Sequence, residues 1–365
     1  MDKQHPTPAE VFPPGDFIKE ELEARGWSQA DLAVIMGRPV QAINEILSGK
    51  KSITTDTARE LATAFGVHPQ LFLNLDNTYR LSLSKGDMTP VARRAAIYAK
   101  APVRDLVKRG WIAGSPDLDQ LERQVCDFLE IGSLDEESRC SFAARKGDGY
   151  GEVTPGQVAW FCRCRQIARS RKVGKFSLPA FQKVVPTLPK EFVDEQSLER
   201  LPKELSKHGL ILVLLEHLPG SKIDGAAFWL DARPVVALSV RYDRVDSFWY
   251  TLMHELAHIV LHGDTNEVID VNLVGPSAET TGDKPAPEQE ADRQAAEWLV
   301  GGDELTQFIA ETKPYYSHAK IVRFAETLGV HPGIVVGQLQ HNKEIGWGQS
   351  RKFLVKVRDM LPLES

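Results

Sequence analysis

The sequence lacks the features of secreted, membrane-spanning and strongly basic proteins. Its four cysteines form no C-x-x-C pair, which argues against a secreted disulfide framework and for thiols in a reducing compartment. The N-terminus has no apolar signal core, and the apolar run 210–215 is far too short to span a bilayer. The net charge of −6 excludes a protein that is basic overall, although not one small DNA-binding face. We therefore expect a cytoplasmic protein with no membrane partner.

The sequence contains no internal repeat and no low-complexity tract. Its length of 365 residues accommodates two or three domains, each able to bury a core. Hydrophobic residues make up 42% of the chain and charged residues 26%, which is ordinary for a globular protein. The distinctive features are therefore local patterns, and two of them carry chemistry.

The segment 247–263 contains the pattern His-Glu-x-x-His among mostly apolar residues. On a helix His254 and His258 lie on the same face, so both imidazoles can bind one ion. Glu255 lies about 100° further round the axis, where it can hold and deprotonate a water at the metal. A helix that is apolar nearly all round is buried, and buried polar groups need partners, which a metal supplies. A chance match on a surface helix is the alternative, and the predicted burial disfavours it.

A catalytic zinc site of this kind needs a third protein ligand. Prolines followed by helix formers predict a helix over 285–300. Its inner face combines acidic with small or apolar residues, namely Glu288, Ala291, Asp292, Ala295 and Leu299. Its outer face is polar and carries Glu290, Gln294 and Glu297. We therefore predict Glu288 as the third ligand and Asp292, one turn on, as the acceptor for a ligand histidine. His262 has a different spacing and is predicted to be structural.

Residues 14–80 show short helical patterns closed by helix-stop signals. Helices are predicted over 15–25, 28–36, 40–48, 54–65 and 69–76. Ser28 suits the N-cap of the second helix, and 37–39 forms the turn before the third. The predicted core consists of apolar residues from these helices, Leu32, Ile35, Ile43, Ile46, Leu47, Leu61, Ala62 and Phe65.

The third of these helices is expected to expose polar side chains suited to DNA. Exposed amide side chains can hydrogen-bond to adenine edges, and lysines near a helix end can hold phosphates. The candidate DNA contacts are Gln29, Arg38, Gln41, Asn44, Lys50 and Lys51. A small helical bundle with no nucleic-acid role is the alternative that this pattern leaves open.

The stretch 81–200 carries the least information. Leucine, valine and tryptophan recur at helical spacing over 103–130, and 160–175 is rich in arginine and lysine. A solvated helix face is the favoured interpretation of this basic segment, and a supplementary DNA or partner contact is the alternative.

From residue 201 the pattern changes to strands. The run 210–215 is predicted as a buried strand, and 225–240 as a hairpin that leads directly into the His-Glu-x-x-His segment. A small sheet packed on that helix would offer an extended substrate an edge to pair with. Two further helices, over 318–328 and 334–341, are expected to pack on the same domain rather than on DNA, because the second is largely apolar.

Two stretches of the N-terminal region resemble the helix-turn-helix of HigA-type antitoxins in the Cro/C1 class. They are 28–33 (Ser-Gln-Ala-Asp-Leu-Ala) and 43–54 (Ile-Asn-Glu-Ile-Leu-Ser-Gly-Lys-Lys-Ser-Ile-Thr). The family usually has serine and arginine where this chain has Pro39 and Val40, a departure that removes a phosphate or base contact. The resemblance implies binding to operator DNA.

The C-terminal half resembles the ImmA/IrrE family of metallopeptidases. The matching stretches are 225–229, 234–241, 248–262, 288–296 and 329–340. The resemblance implies a gluzincin-like zinc endopeptidase that uses Zn²⁺ as cofactor and cleaves a protein inside bacteria, typically a transcriptional repressor. The candidates for a side chain that stabilises the oxyanion are Tyr250, Tyr315, Tyr316 and His318.

These patterns together predict a mainly α protein with a five-helix N-terminal domain and a small α+β zincin-like peptidase domain. The predicted regions are a helix-turn-helix domain over 1–80, a helical connecting region over 81–200, a metallopeptidase core over 201–302, and a C-terminal helical hairpin and tail over 303–365. We expect a DNA-binding regulator that cleaves a repressor or a toxin–antitoxin partner in a stress, phage or toxin–antitoxin response. The alternative is an antitoxin or autorepressor whose metal site is structural or inactive. The sequence allows a homodimer.

Overall fold

A computed structural model of the chain describes residues 11–83, 89–138, 153–263, 268–271 and 285–364. The chain divides into two compact units, residues 1–89 and 90–365. The narrower domain limits derived from the sequence stay predictions.

The first unit is helical, as the sequence predicts. Its described residues form five helices, α1 (Pro14–Arg25), α2 (Gln29–Ile35), α3 (Val40–Leu47), α4 (Thr55–Phe65) and α5 (Pro69–Leu83). Ser28 begins α2 with a capping box, in which its hydroxyl accepts from the Asp31 N–H and the Asp31 carboxylate accepts from the Ser28 N–H. These hydrogen bonds lower the pKa of Asp31.

The core of the first unit is built from α1 to α5 and holds α3 in place. Ile43, Ile46 and Leu47 of α3 are buried in it, as predicted. Gly15 on α1 lies so close to α3 that a Cβ atom there would fall 1.9 Å from the Leu47 carbonyl oxygen. The prediction that Ile35 belongs to the core is wrong. It is 47% exposed, because it lies on the outer side of α2, away from the buried Leu32 and Ala33.

The second unit combines helices with one small sheet. Its helices before the sheet are α6 (Thr89–Lys100), α7 (Val103–Lys108), α8 (Leu118–Leu129), α9 (Pro155–Ser170), α10 (Leu178–Val184), α11 (Leu188–Glu191) and α12 (Glu195–Lys207). The strands are β1 (Ile211–Leu214), β2 (Ile223–Leu230), β3 (Arg233–Leu238) and β4 (Val268–Val271). The remaining helices are α13 (Val245–His262), α14 (Ala286–Leu299), α15 (Gly302–Thr312), α16 (His318–Leu328) and α17 (Pro332–His341).

The described strands form a mixed sheet in the order β1-β3-β2-β4. β1 runs parallel to β3, and β2 pairs antiparallel with both β3 and β4. The predicted hairpin is confirmed: β2 and β3 are joined through Asp231 and Ala232, whose φ angles of 50° and 62° suit a tight hairpin turn.

The sheet is covered on both faces, because side chains alternate along its strands. Leu212, Ala227 and Val236 face the layer that contains α13. Ile211, Phe228 and Val235 face the opposite layer, which contains α8 and α9. The buried sheet thus lies between two helical layers, and its α13 side carries the His-Glu-x-x-His pattern.

α9 is a core helix along much of its length. Trp160, Phe161, Cys162 and Cys164 are fully buried, so the favoured interpretation of this basic segment as a solvated face holds only for its exposed C-terminal end from Arg169. Cys140 lies outside the described residues. In the part of the chain that the structure describes, none of the helices has the length and apolar character that a bilayer crossing requires.

Candidate metal centre and nucleic-acid interface

α13 is the central helix of the second unit. Every residue from Val245 to Val260 is buried, which confirms the expectation from its apolar sequence. Its C-terminal end is tied to the hairpin, because the Trp229 indole N–H donates to the Gly263 carbonyl (2.6 Å). α14 packs against α13. The predicted inner face of α14 is buried, whereas Glu290 and Glu297 on its outer face are exposed.

Three buried side chains from α13 and α14 converge on one point. His254 Nε2 lies 3.0 Å from His258 Nε2 and 3.1 Å from Glu288 Oε2. His258 Nε2 lies 3.4 Å from Glu288 Oε1. The exposed fractions are 0% for His254, 3% for His258 and 3% for Glu288. The structure therefore brings together the three residues predicted as metal ligands.

This donor set fits a zinc ion. Two imidazole nitrogens and one carboxylate oxygen lie within 4.8 Å of one another. In a tetrahedral zinc site with bonds of 2.0–2.1 Å, neighbouring ligand atoms stand roughly 3.3 Å apart, close to the spacing seen here. Three protein ligands also leave the fourth position to a water or a substrate, which is the pattern of catalytic rather than structural zinc sites.

Electrostatics keep the Glu288 carboxyl ionised. Burial alone would raise the pKa of Glu288, but hydrogen bonds with His254 and His258 outweigh it and hold the pKa well below its usual range. A carboxylate that is charged inside the protein is ready to bind a cation without first losing a proton.

Asp292 lies on the other side of the His254 ring. Its Oδ1 atom is 3.0 Å from His254 Nδ1 and accepts a hydrogen bond from the Tyr250 hydroxyl (2.8 Å). The carboxylate can therefore hold the proton on Nδ1 and leave Nε2 as the nitrogen that faces Glu288.

Glu255 is completely buried beside strand β2. Its carboxylate lies against the backbone of Gly225, where a Cβ atom would fall 2.2 Å from Oε1. This contact is not among the features predicted from the sequence. A glycine inside an apolar strand marks places where another group approaches closely, and that signal is present in the sequence.

The other polar residues near the centre have separate roles. His262 Nε2 lies 3.3 Å from the Pro287 carbonyl oxygen and 4.0 Å from Glu290 Oε2, so this side chain links the ends of α13 and α14. Among the oxyanion candidates, Tyr250 is engaged with Asp292 and Tyr316 donates to Glu344 (2.7 Å). The two remaining candidates differ, since Tyr315 is exposed and the His318 ring packs edge-on against Phe353.

The predicted DNA contacts lie around α2 and α3. Five of them are exposed: Gln29, Gln41, Asn44, Lys50 and Lys51. Arg38 is half-buried, and its guanidinium pairs with both carboxylate oxygens of Glu60, at 2.6 and 3.1 Å. This ion pair ties the turn between α2 and α3 to α4.

Known proteins resemble the chain in two separate regions. A helix-turn-helix family model matches residues 18–72, and the model of the IrrE N-terminal-like domain, a peptidase family M78 model, matches residues 207–339. An uncharacterized HTH-type transcriptional regulator, YddM of Escherichia coli (strain K12), is 33% identical over 69 residues, which is 19% of this chain and 73% of that protein. Virulence-associated protein I of Dichelobacter nodosus is 36% identical over 75 residues, or 20% of this chain and 69% of that protein.

Among solved structures, an addiction module antidote protein of a HigA family from Coxiella burnetii shows 36% identity. The match covers 20% of this chain and 82% of that one, with a TM-score of 0.20. The two family models match the chain in the same order as the two motifs occur along the sequence. The chain thus belongs to the helix-turn-helix transcriptional regulators and joins that module to a C-terminal IrrE-like domain of the M78 peptidase family.

Proposed function

We propose that this protein is a DNA-binding regulator whose second unit is a zinc-dependent endopeptidase that cleaves a partner protein. The observation that carries the proposal is the buried convergence of His254, His258 and Glu288, together with the buried Glu255, which follows His254 directly on α13. A purely structural zinc site would not need a buried carboxylate next to its first ligand. A protein that binds operator DNA is expected to work in the cytoplasm.

In the proposed mechanism His254, His258 and Glu288 would hold the zinc ion. When bound, zinc would act as a Lewis acid on the scissile carbonyl and on the attacking water. Glu255 takes the proton from that water and then gives it to the leaving amine. Asp292 keeps His254 in the required tautomer, and the Tyr250 hydroxyl holds Asp292 in position.

The partner protein is proposed to be a repressor or a toxin–antitoxin component, in a stress, phage or toxin–antitoxin response. To test cleavage, the purified whole chain loaded with zinc is added to an extract of its own cells, and new protein N-termini are identified. We expect N-termini that appear with the wild type and with Glu290→Gln but not with Glu255→Gln. If the wild type and Glu255→Gln give the same N-termini while both hold zinc and bind DNA, the endopeptidase proposal fails and the autorepressor or antitoxin alternative takes its place.

The DNA-binding part of the proposal rests on the exposed residues around α3. Replacing Lys50 by alanine should weaken binding to all duplexes and reduce its salt dependence, because a phosphate contact is lost. Replacing Gln41 or Asn44 by alanine should instead change the sequence preference. A chain that starts at residue 90 and still binds duplex DNA as well as the whole protein would contradict the assignment of DNA binding to the first unit.

A further inference from the structure

The first turn of α3 combines an apolar side chain with two amides on its exposed side. Val40, the first residue of α3, is 44% exposed, whereas Ile43, Ile46 and Leu47 of the same helix are buried. Val40 and Asn44 are four residues apart and therefore share one side of the helix, and the exposed Gln41 lies next to them. These three side chains point away from the domain core.

This turn carries no side chain suited to guanine. Arginine and lysine make the commonest base-specific contacts, to guanine O6 and N7, yet the sequence 39–49 contains neither residue. Arg38, the cation that directly precedes this stretch in the sequence, is held in its ion pair with Glu60. Glu45, whose carboxylate would favour cytosine, is half-buried, and its Oε1 atom lies 3.5 Å from Gln41 Nε2.

The chemistry of the exposed groups matches one type of base pair. In a helix-turn-helix motif, the N-terminal residues of the second helix face the base edges in the major groove. Thymine presents a methyl group there, which apolar side chains can contact, and adenine presents the donor–acceptor pair that fits an amide. Both bases belong to the A·T pair.

We propose that α3 selects A·T-rich duplex DNA, with Val40 packed against the 5-methyl group of a thymine and Gln41 and Asn44 hydrogen-bonded to adenine. This inference rests on the proposed DNA-binding function and adds to it the base preference and the residue that sets it.

The test uses the purified whole chain and a pool of random duplexes. Bound duplexes are selected and sequenced, and the preferred duplex is then made with uracil in place of each thymine in turn, which removes only the methyl group. We expect the preferred site to be A·T-rich. In each contacted half-site, replacing one particular thymine by uracil should lower the affinity about fourfold, because the methyl group is lost. All affinities are compared at one salt concentration, because the phosphate contribution depends on it.

Two valine variants separate a specific contact from a general effect. Val40→Ala should bind the thymine and uracil duplexes equally, because the contact with the methyl group is gone. Val34→Ala is the matched control: Val34 is 82% exposed and lies on α2, the first helix of the motif, so this variant should keep the fourfold difference.

The outcomes are distinguishable. Sequence-selective binding with no loss at any uracil, or a guanine-rich preferred site, would overturn the role of Val40 and leave the proposed DNA binding intact. Absence of binding to every duplex would overturn both. Loss of the thymine–uracil difference in Val34→Ala as well would show that Val40 makes no specific contact.

Discussion

Gly225 lies directly against Glu255, and a Cβ atom on this glycine would come within 2.2 Å of the glutamate Oε1 atom. The contact joins strand β2 to helix α13 at the carboxylate proposed as the general base. The position of the strand therefore limits where the Glu255 side chain can lie, although Gly225 itself offers no chemical group.

Replacing Gly225 by alanine should displace the Glu255 carboxylate. We expect cleavage to fall by about 10²- to 10⁴-fold, the usual contribution of a general base, while zinc binding is retained. Elemental analysis and the N-terminus assay measure the two effects separately. Gly156→Ala is the matched control, because the nearest atom to its added methyl group is Ser221 Cβ at 3.8 Å, an ordinary contact. Full cleavage by Gly225→Ala would show that the close approach does not position Glu255.

The two acids on α14 should differ sharply in their effect on zinc. Glu288→Gln removes a charged oxygen that points at His254 and His258, and we expect zinc affinity to fall by orders of magnitude. Asp292→Ala should lower it by roughly 10- to 100-fold. Glu290→Gln, on the exposed face of α14, should have the same zinc affinity as the parent protein. Competition with a chelator measures all three affinities, and a large loss at Glu290 with none at Glu288 would refute the assigned ligand.

Tyr250 is expected to support the metal through Asp292. Tyr250→Phe removes the 2.8 Å hydrogen bond to Asp292, so we expect zinc affinity to fall by up to about tenfold, the low end for outer-shell changes. Tyr316→Phe is the control, since it also removes a hydroxyl that donates to a carboxylate, that of Glu344. Burial and, next, this hydrogen bond raise the pKa of Tyr316 to about 12. Equal zinc affinities in the two variants would argue against the Tyr250–Asp292 link.

Acid should weaken the attachment of α17 through His331. This residue caps α17, and its Nδ1 atom accepts a hydrogen bond from the Gly333 N–H (3.0 Å). Burial lowers the pKa of His331 from the ordinary value of 6.5, against the opposing charge of Asp246. The unfolded chain thus binds a proton at higher pH than the folded one. The stabilisation of the folded state by neutral His331 is therefore fully present above a pH of about 6.5. It is lost as the pH falls toward the folded-state pKa of His331.

His331→Asn tests this pH dependence, because asparagine keeps a capping side chain that does not titrate in this range. We expect the melting temperature of the wild type to fall more than that of His331→Asn between about pH 7 and pH 5. Thermal unfolding followed across this pH range at constant salt measures the difference. Parallel curves for the two proteins would contradict the role assigned to neutral His331.

The helix face on which each candidate ligand lies is predictable because helix periodicity is local. His254 and His258 share a face within one helix, and Glu288 follows from the small residues beside it on α14. The Tyr250–Asp292 hydrogen bond is not predictable in this way, because it depends on how two helices cross, and 42 residues separate its partners. The exposure of Ile35 is not predictable for a related reason: α2 has only seven residues, and the packing of its neighbours decides which of its apolar side chains are buried.

The role of α9 also lies beyond the local pattern. Four arginines and two lysines occur in the sequence 160–175, yet its aromatic residues lie in the core. The Arg163 guanidinium lies over the Trp111 ring, 5.8 Å from its centroid, and that of Arg165 lies over the Phe228 ring at 5.9 Å. Long basic side chains can place their stems and planar heads along apolar surface, so charge in the sequence does not by itself mark a solvated helix.

Helices pack on both faces of the sheet, and this arrangement determines which part of the chain can be exchanged or produced as a module. The family match to the peptidase begins at residue 207, but Phe228 and Val235 on the far side of the sheet are covered by a layer whose α9 begins at Pro155. A fragment cut at 207 would contain every candidate ligand and still expose a broad apolar surface, a recognised cause of aggregation. The unit that can be inherited, fused or expressed on its own must therefore include the helices that cover the far face of the sheet. These helices begin well before the first residue of the metal motif.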